Sequence, residues 1–153
     1  MKLNNFLFYP ANQLISIIDF DHCSSNYFLV DIVSYFLELA KDDYETKYPA
    51  RSIQKAFLVE YLKHCKSNVS SIIYDSQQPN DHELEYLCDL CALLIAPVHL
   101  YWALWAFLQA LLTTPTSTVD YVNYGRVRLA QYQRHKKTFL LSFKHSLKRT
   151  PKF

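Results

Sequence analysis

Glycine is almost absent from this sequence of 153 residues, in which Gly125 is the only one. A loop that wraps the phosphates of a nucleotide needs several glycines close together, so that its backbone can approach the phosphate oxygens. These residues cannot build such a loop. If the protein handles a nucleotide, the element that covers the phosphates must lie outside this sequence.

A strong net charge is also absent, since sixteen Lys and Arg residues nearly balance fourteen Asp and Glu residues. The basic residues cluster only in 134–137 and 144–152. This position near the end favours a solvated tail over a basic stripe that binds nucleic acid. We therefore expect no nucleic-acid partner.

A signal peptide is absent, and the sequence contains four cysteines, Cys23, Cys65, Cys88 and Cys91. We therefore expect a reduced, cytoplasmic protein. The C-x-x-C spacing of Cys88 and Cys91 fits a redox pair or half of a zinc site, but no second C-x-x-C pair or H-x-x-x-H pair completes a zinc site. We interpret them as two core cysteines one helical turn apart.

The longest apolar stretch, 87–112, is interrupted by Asp89, His99 and Gln109. These polar residues favour a buried helix over a membrane span. We expect no transmembrane segment.

Two short apolar runs on either side of a polar turn at 10–13 predict a β-hairpin over 5–20. In an antiparallel pair with this turn, facing positions have numbers that sum to about 24. Asn5 would then lie beside Asp19. The hairpin would carry an amide and a carboxylate at one end.

After the hairpin, apolar residues recur at helical spacing, and the stretch 67–75 is ambiguous. Asn80 is predicted to be an N-cap, and Pro97 is predicted to start or kink the next helix. The pattern predicts about five helices, over 31–41, 53–65, 81–96, 97–112 and 121–137.

These elements give an α+β fold that is mostly α. A hairpin with no further sheet is only marginally stable unless helices cover it. We therefore expect one lobe of something larger over 1–137, with the hairpin at 5–20, a helical part at 31–137 and a basic tail at 138–153.

Asp19 follows an apolar strand and precedes Phe20, which resembles the D-F-G segment where a kinase aspartate binds magnesium. Kinases hold a second metal ligand as an asparagine further upstream, in the pattern H-x-D-x-x-x-x-N. Asn5 fits that role, and Asn4 is the alternative. Counting back along the pattern puts the catalytic aspartate one residue before Met1. We therefore expect a truncated gene model, an internal start or a fragment.

The stretch 18–38 is similar to the choline/ethanolamine kinase signature I-D-x-E-x-x-x-x-N-x-x-x-x-D-I-x-x-x-F-x-E. The segment 99–110 is similar to the S-H-x-x-W-x-L-W-x-x-x-Q-A helix of that family, and 121–132 resembles its D-Y-x-x-x-R-x-x-x-Y ending. The likeness covers about 1–137. It implies the C-terminal lobe of a kinase-like fold.

The resemblance also implies a function. Such an enzyme transfers the γ-phosphoryl group of ATP to the hydroxyl of choline or ethanolamine in phospholipid synthesis, with Mg2+ as cofactor. By this likeness Asn5 and Asp19 would bind Mg2+. Asp21 would match a conserved acidic position, and Asn26 and Asp31 would brace the loop.

Trp102 and Trp105 are three residues apart on a predicted helix and so share one face. Two indole faces attract an ammonium group by cation–π contact, at about 0.5–2 kcal/mol each. Simple core packing is the alternative. Tyr124 would close this aromatic cage, and Glu38 would add a balancing carboxylate. A solvated glutamate is the alternative for Glu38.

The sequence departs from the family pattern at four positions. His22 stands where a tyrosine is usual, Ser34 and Tyr35 replace the pair N-H, and Val119 replaces an aromatic residue. These differences weaken the predicted cage. They leave the choice between choline and ethanolamine open.

Three functions remain open at this point. In the first, the intact protein is the kinase, and these residues alone are inactive and bind ATP and Mg2+ weakly. In the second, the chain is a non-catalytic pseudokinase or regulatory module that binds an amine, forms a homodimer or pairs with a full-length homologue. The third is a helical interaction domain without a ligand, which leaves the spaced signature unexplained.

Overall fold

A computed structural model describes residues 3–21, 23–41, 43–64, 79–113 and 118–149, with side chains up to 142. The chain divides into two compact units, 1–91 and 92–153. A short 3-10 helix, Leu3–Asn5, opens the described part. The elements that follow it are β1 (Phe6–Tyr9), β2 (Leu14–Ile17), α1 (Phe28–Ala40), α2 (Arg51–His64), α3 (Asp81–Leu112) and α4 (Tyr121–Arg149).

The predicted hairpin is confirmed, with its register shifted by one residue. β1 and β2 are antiparallel, and Phe6 faces Ile17, so facing numbers sum to 23 and not to 24. The sum is odd because four residues, 10–13, connect the facing pair Tyr9 and Leu14. Within this turn the Asn12 side chain accepts a hydrogen bond from the Leu14 backbone at 3.3 Å. Gln13 takes a positive φ of 54° in the same turn.

Helix α1 supplies the main buried face of the first unit. Its apolar residues recur three and four positions apart, so that they form one stripe on a helix. The helix ends where Lys41 adopts a φ of 53°. Phe36 contacts Phe57 of α2 edge to face, with ring centroids 5.3 Å apart. The buried stripe of α1 consists of Leu29, Ile32, Val33, Phe36, Leu37 and Ala40.

The first turn of α3 has the predicted cap. The Asn80 side chain accepts a hydrogen bond from the Glu83 backbone at 3.0 Å, and Glu83 accepts one from the Asn80 backbone at 2.7 Å. This reciprocal pair satisfies backbone donors that the first helical turn leaves free. Arg51 and Lys55 of α2 then form ion pairs with acidic residues on this part of α3.

The two cysteines of α3 are core residues, as predicted. Cys88 and Cys91 are fully buried and are not joined in a disulfide. Burial raises the pKa of the Cys91 thiol to about 12. Both thiols therefore stay protonated near neutral pH and are poor nucleophiles.

Pro97 does not start a separate helix, so this form of the prediction is wrong. The alternative, that Pro97 kinks the helix, stays a prediction. α3 runs unbroken from Asp81 to Leu112 with Pro97 inside it. A proline removes one backbone hydrogen bond from a helix interior, at a cost of about 3 kcal/mol. Val98 and His99, which follow it, are almost fully buried. Packing of this kind overrides the local preference for a break, and the described residues contain four α-helices where about five were predicted.

By length and composition, α3 is the one helix in the described part of the chain that is apolar enough to cross a membrane. The core helix of a water-soluble protein has the same properties. This helix alone is therefore weak grounds for a membrane span.

The last helix extends further than the sequence pattern predicts. α4 continues to Arg149 and does not end at Lys137. Most of the residues expected to form a loose basic tail are thus helical. The positions predicted for both strands are close to those in the structure. The same is true of α1, of α2 and of the capped start of α3. The ambiguous stretch 67–75 lies outside the described residues.

Gly125 is buried where α4 meets α3 in the second unit. A Cβ atom built on it would lie 2.7 Å from Cε1 of Phe107. We expect Gly125→Ala to destabilise the protein by about 1–2 kcal/mol in urea unfolding, because the overlap outweighs the better helix propensity of alanine. Adding Phe107→Leu should restore most of the loss.

Ala130→Gly, at an exposed position of the same helix, is the matched control and measures helix propensity alone, about 1 kcal/mol. A Gly125→Ala protein more stable than the parent would mean that α3 and α4 do not approach each other this closely.

Candidate functional site

The open end of the hairpin brings Asn5 and Asp19 together, as predicted. The Asn5 amide donates a hydrogen bond to the Asp19 carboxylate at 3.3 Å. The Ile18 backbone donates to the Asn5 carbonyl at 2.9 Å, which extends the ladder past the last strand pair. Asn4, the alternative ligand, is exposed on the 3-10 helix. The one-residue register shift therefore leaves the predicted pair in contact.

Asp19 has a positive φ of 62°. Only glycine adopts this left-handed conformation freely, although Asp tolerates it better than most residues. Non-glycine residues held there are concentrated at functional sites. The side chain of Asp19 is exposed, as is that of Asp21 two residues later.

The donor atoms at this end of the hairpin suit Mg2+, which prefers oxygen ligands. It commonly takes one or two protein carboxylates and fills its remaining positions with water and phosphate oxygens. Asn5 and Asp19 supply an amide and a carboxylate of this kind. No group of three or more His, Cys, Asp or Glu side chains able to hold a metal occurs among the described residues. A metal here would need further ligands from water or a bound nucleotide.

Three other predicted residues lie on or just before α1. The Asn26 side chain accepts a hydrogen bond from the Tyr27 backbone at 2.8 Å, immediately before the helix begins. Asp31 is exposed in the first turn, where a negative charge stabilises a helix N-terminus. Glu38 is half-buried in the last turn. The bracing and charge-balancing roles predicted for them stay predictions.

In the second unit, aromatic rings gather on one face of α3. The Trp102 and Trp105 rings meet edge to face with centroids 5.5 Å apart, as their spacing predicts. Tyr121, the first residue of α4, packs against Trp105 at 5.7 Å. Tyr101 contacts Trp102 at 5.3 Å and is 55% exposed. We call Trp102, Trp105 and Tyr121 the aromatic face.

Tyr124, predicted to close the cage, contacts Arg128 one turn further along α4. Arg128 Nε donates to the Tyr124 hydroxyl at 3.0 Å, and the guanidinium carbon lies 5.1 Å from the centre of the Tyr124 ring. The guanidinium therefore fixes Tyr124 by both its hydroxyl and its ring. The predicted ligand role of Tyr124 stays a prediction.

Arg128 also bonds to α3. Its Nη1 donates to Nδ1 of His99 at 3.3 Å, and both side chains are buried. Because arginine only donates, the His99 ring must be neutral, with Nδ1 as acceptor. Burial, reinforced by the Arg128 charge, lowers the pKa of His99 to about 3. His135 stacks on His99 with centroids 6.4 Å apart, and burial lowers its pKa as well.

The sequence predicted the two tryptophans. It did not predict the contact of Tyr121 with Trp105 or the hydrogen bonds by which Arg128 links Tyr124 and His99. Tyr121 lies nine residues beyond the end of α3, so no helical spacing joins it to Trp105. The sequence signal for Arg128 was its spacing from Tyr124, since residues four apart are neighbours on a helix. Nothing in that spacing shows that His99 is the partner on the other helix.

Comparison with known proteins matched residues 1–133 to the family model described as choline/ethanolamine kinase. A probable choline kinase 3 of Arabidopsis thaliana is 27% identical over 152 residues, covering 94% of this chain and 40% of the relative. A probable ethanolamine kinase A of Dictyostelium discoideum is 28% identical, covering 89% and 36%.

An ethanolamine kinase 2 of Rattus norvegicus is 31% identical, covering 84% of this chain and 31% of the relative. The chain thus spans two fifths or less of the length of these curated relatives. No solved structure matched the chain.

We expect Arg128→Lys to lower the free energy of unfolding by about 1.5–3 kcal/mol, because a lysine cannot bond to Tyr124 and His99 at once. Urea denaturation measures the change. Arg126→Lys, two residues earlier and exposed, is the matched control and should change stability by less than about 0.5 kcal/mol. If the two substitutions changed stability equally, the hydrogen bonds from Arg128 to Tyr124 and His99 would not be stabilising the protein.

The buried neutral His99 predicts acid sensitivity. The folded protein protonates His99 near pH 3 and the unfolded chain near its ordinary pKa of 6.5. Between these values the unfolded state binds more protons, so stability falls as the pH drops from about 6.5 towards 3.

Thermal midpoints measured across this range should fall more steeply for the parent than for His99→Gln, which accepts from Arg128 without titrating. His135 contributes in the same direction, so the comparison is repeated in a His135→Gln background. Superimposable pH profiles for parent and His99→Gln would show that His99 is not buried in its neutral form.

Proposed function

The chain belongs to the choline/ethanolamine kinase family, and from that membership we propose that it forms the part of an ATP-dependent kinase that binds the substrate ammonium group and Mg2+. The observation that carries the proposal is the aromatic face, where the Trp105 ring packs within 6 Å of both the Trp102 ring and the Tyr121 ring. We propose that this part has the C-terminal lobe of a kinase-like fold.

The aromatic face suits choline and ethanolamine because both carry a cation. Cation–π attraction contributes about 0.5–2 kcal/mol per ring. The two indoles therefore supply at most about 4 kcal/mol, which corresponds to a dissociation constant near millimolar. Tighter binding needs further groups, and the role of Glu38 as a carboxylate that balances the cation stays a prediction from the family resemblance. The three methyl groups of choline distinguish it from ethanolamine, and both remain proposed substrates.

At the hairpin end, Asn5 and Asp19 would hold Mg2+, which would supply positive charge to neutralise the phosphates of ATP. The contribution of these residues is to fix two oxygen donors at one place. The Asn5 amide hydrogen bond restrains the Asp19 carboxylate. The backbone at Asp19 is left-handed, with a φ of 62°.

With a single glycine, the 153 residues contain no phosphate-covering loop. We propose that they do not phosphorylate choline by themselves and that the full kinase activity, which serves phospholipid synthesis in the cytoplasm, needs an ATP-binding part. The same aromatic face would also serve a non-catalytic module that binds amines. ATP-dependent turnover by a longer protein that contains this chain distinguishes the two.

Trp102 and Trp105 are the only tryptophans, so intrinsic fluorescence reports directly on the aromatic face. We expect choline and tetramethylammonium to change the emission, with half-saturation near millimolar. The neutral analogue of choline, in which carbon replaces nitrogen, should have no such effect because it carries no charge to attract the rings.

Trp102→Leu and Trp105→Leu should each weaken the choline response by several fold, read from the remaining tryptophan. Tyr86→Leu, an exposed aromatic outside the face, is the matched control. If the neutral analogue and choline gave the same response, the rings would be packing surface and the proposal would fail.

A further inference from the structure

The charges of this chain are divided unevenly along it. Residues 121–153 contain nine of the sixteen Lys and Arg residues and none of the fourteen Asp and Glu residues. The earlier residues are accordingly acidic overall. Such asymmetry within one chain is a signal of interaction with an anionic partner.

The structure places most of these cations in a helix. We call residues 134–149 the basic helix segment, which is the last part of α4. The family match ends at residue 133, so this segment lies beyond it. In sequence, its six cations are Arg134, Lys136, Lys137, Lys144, Lys148 and Arg149.

Apolar residues in the same segment are exposed. Leu140 is 45% and Leu141 is 51% exposed, next to the exposed Lys137. A nucleic-acid surface attracts the cations but offers nothing to exposed leucines. An anionic lipid surface takes both, since its headgroups attract cations and its acyl boundary accepts apolar side chains.

We propose that the basic helix segment binds the surface of membranes that contain anionic phospholipids. Each Lys or Arg near such a surface adds to the attraction, which salt weakens. This association lies beyond the proposed kinase function and does not depend on the aromatic face.

The test is co-sedimentation of the full chain with vesicles of phosphatidylcholine alone and of an equimolar mixture with phosphatidylserine. We expect binding to the mixed vesicles only, and its loss at high salt. Lys137→Glu/Lys144→Glu/Lys148→Glu should lower the partition coefficient by at least about a hundredfold. Leu140→Ser/Leu141→Ser should lower it several fold.

The matched control, Lys41→Glu/Lys47→Glu/Lys63→Glu, changes the net charge equally but lies in the first unit, and it should keep most of the binding. Circular dichroism verifies that each variant is folded, and the tryptophan response to choline is recorded separately. Equal losses in both triple variants, or equal binding to neutral vesicles, would overturn the proposal. Tighter binding to duplex DNA than to the mixed vesicles would replace it with a nucleic-acid surface.

Discussion

The buried guanidinium of Arg128 is the interaction on which the second unit depends. It bonds to His99 of α3 and to Tyr124 of α4, so one charged group fixes the relative position of two helices. A buried charge is stable only when hydrogen bonds replace its lost water. The neutral His99 ring and the Tyr124 hydroxyl provide such bonds. The close approach at Gly125 and the contact of Tyr121 with Trp105 then follow from the same helix pairing.

The geometry of the hairpin end has a different origin. Its short strands are largely exposed, and its geometry comes from backbone pairing and the local turn. The contact between Asn5 and Asp19 is consequently a property of the ladder. The proposed metal donors therefore depend on strand register, whereas the aromatic face depends on helix packing. The two can be tested separately.

Local patterns in the sequence predicted a good part of this structure. The polar turn predicted the hairpin, Asn80 predicted the cap of α3, and apolar spacing predicted the buried stripe of α1. A helix boundary predicted from local preference was wrong at Pro97. The burial of its neighbours stabilises a helix that proline alone would break. Tyr121 and the His99 bond were missed because both are contacts between helices, and spacing along one chain carries no information about them.

We propose that Trp102 and Trp105 form a cation-binding face, and an NMR titration of choline into the isotope-labelled chain tests this directly through the two indole N–H signals. We expect both signals to shift together in a saturable way, accompanied by the Tyr121 and Tyr124 backbone amides, while the hairpin amides stay in place. Indole signals that do not move at tens of millimolar choline, or shifts confined to residues away from α3 and α4, would contradict it.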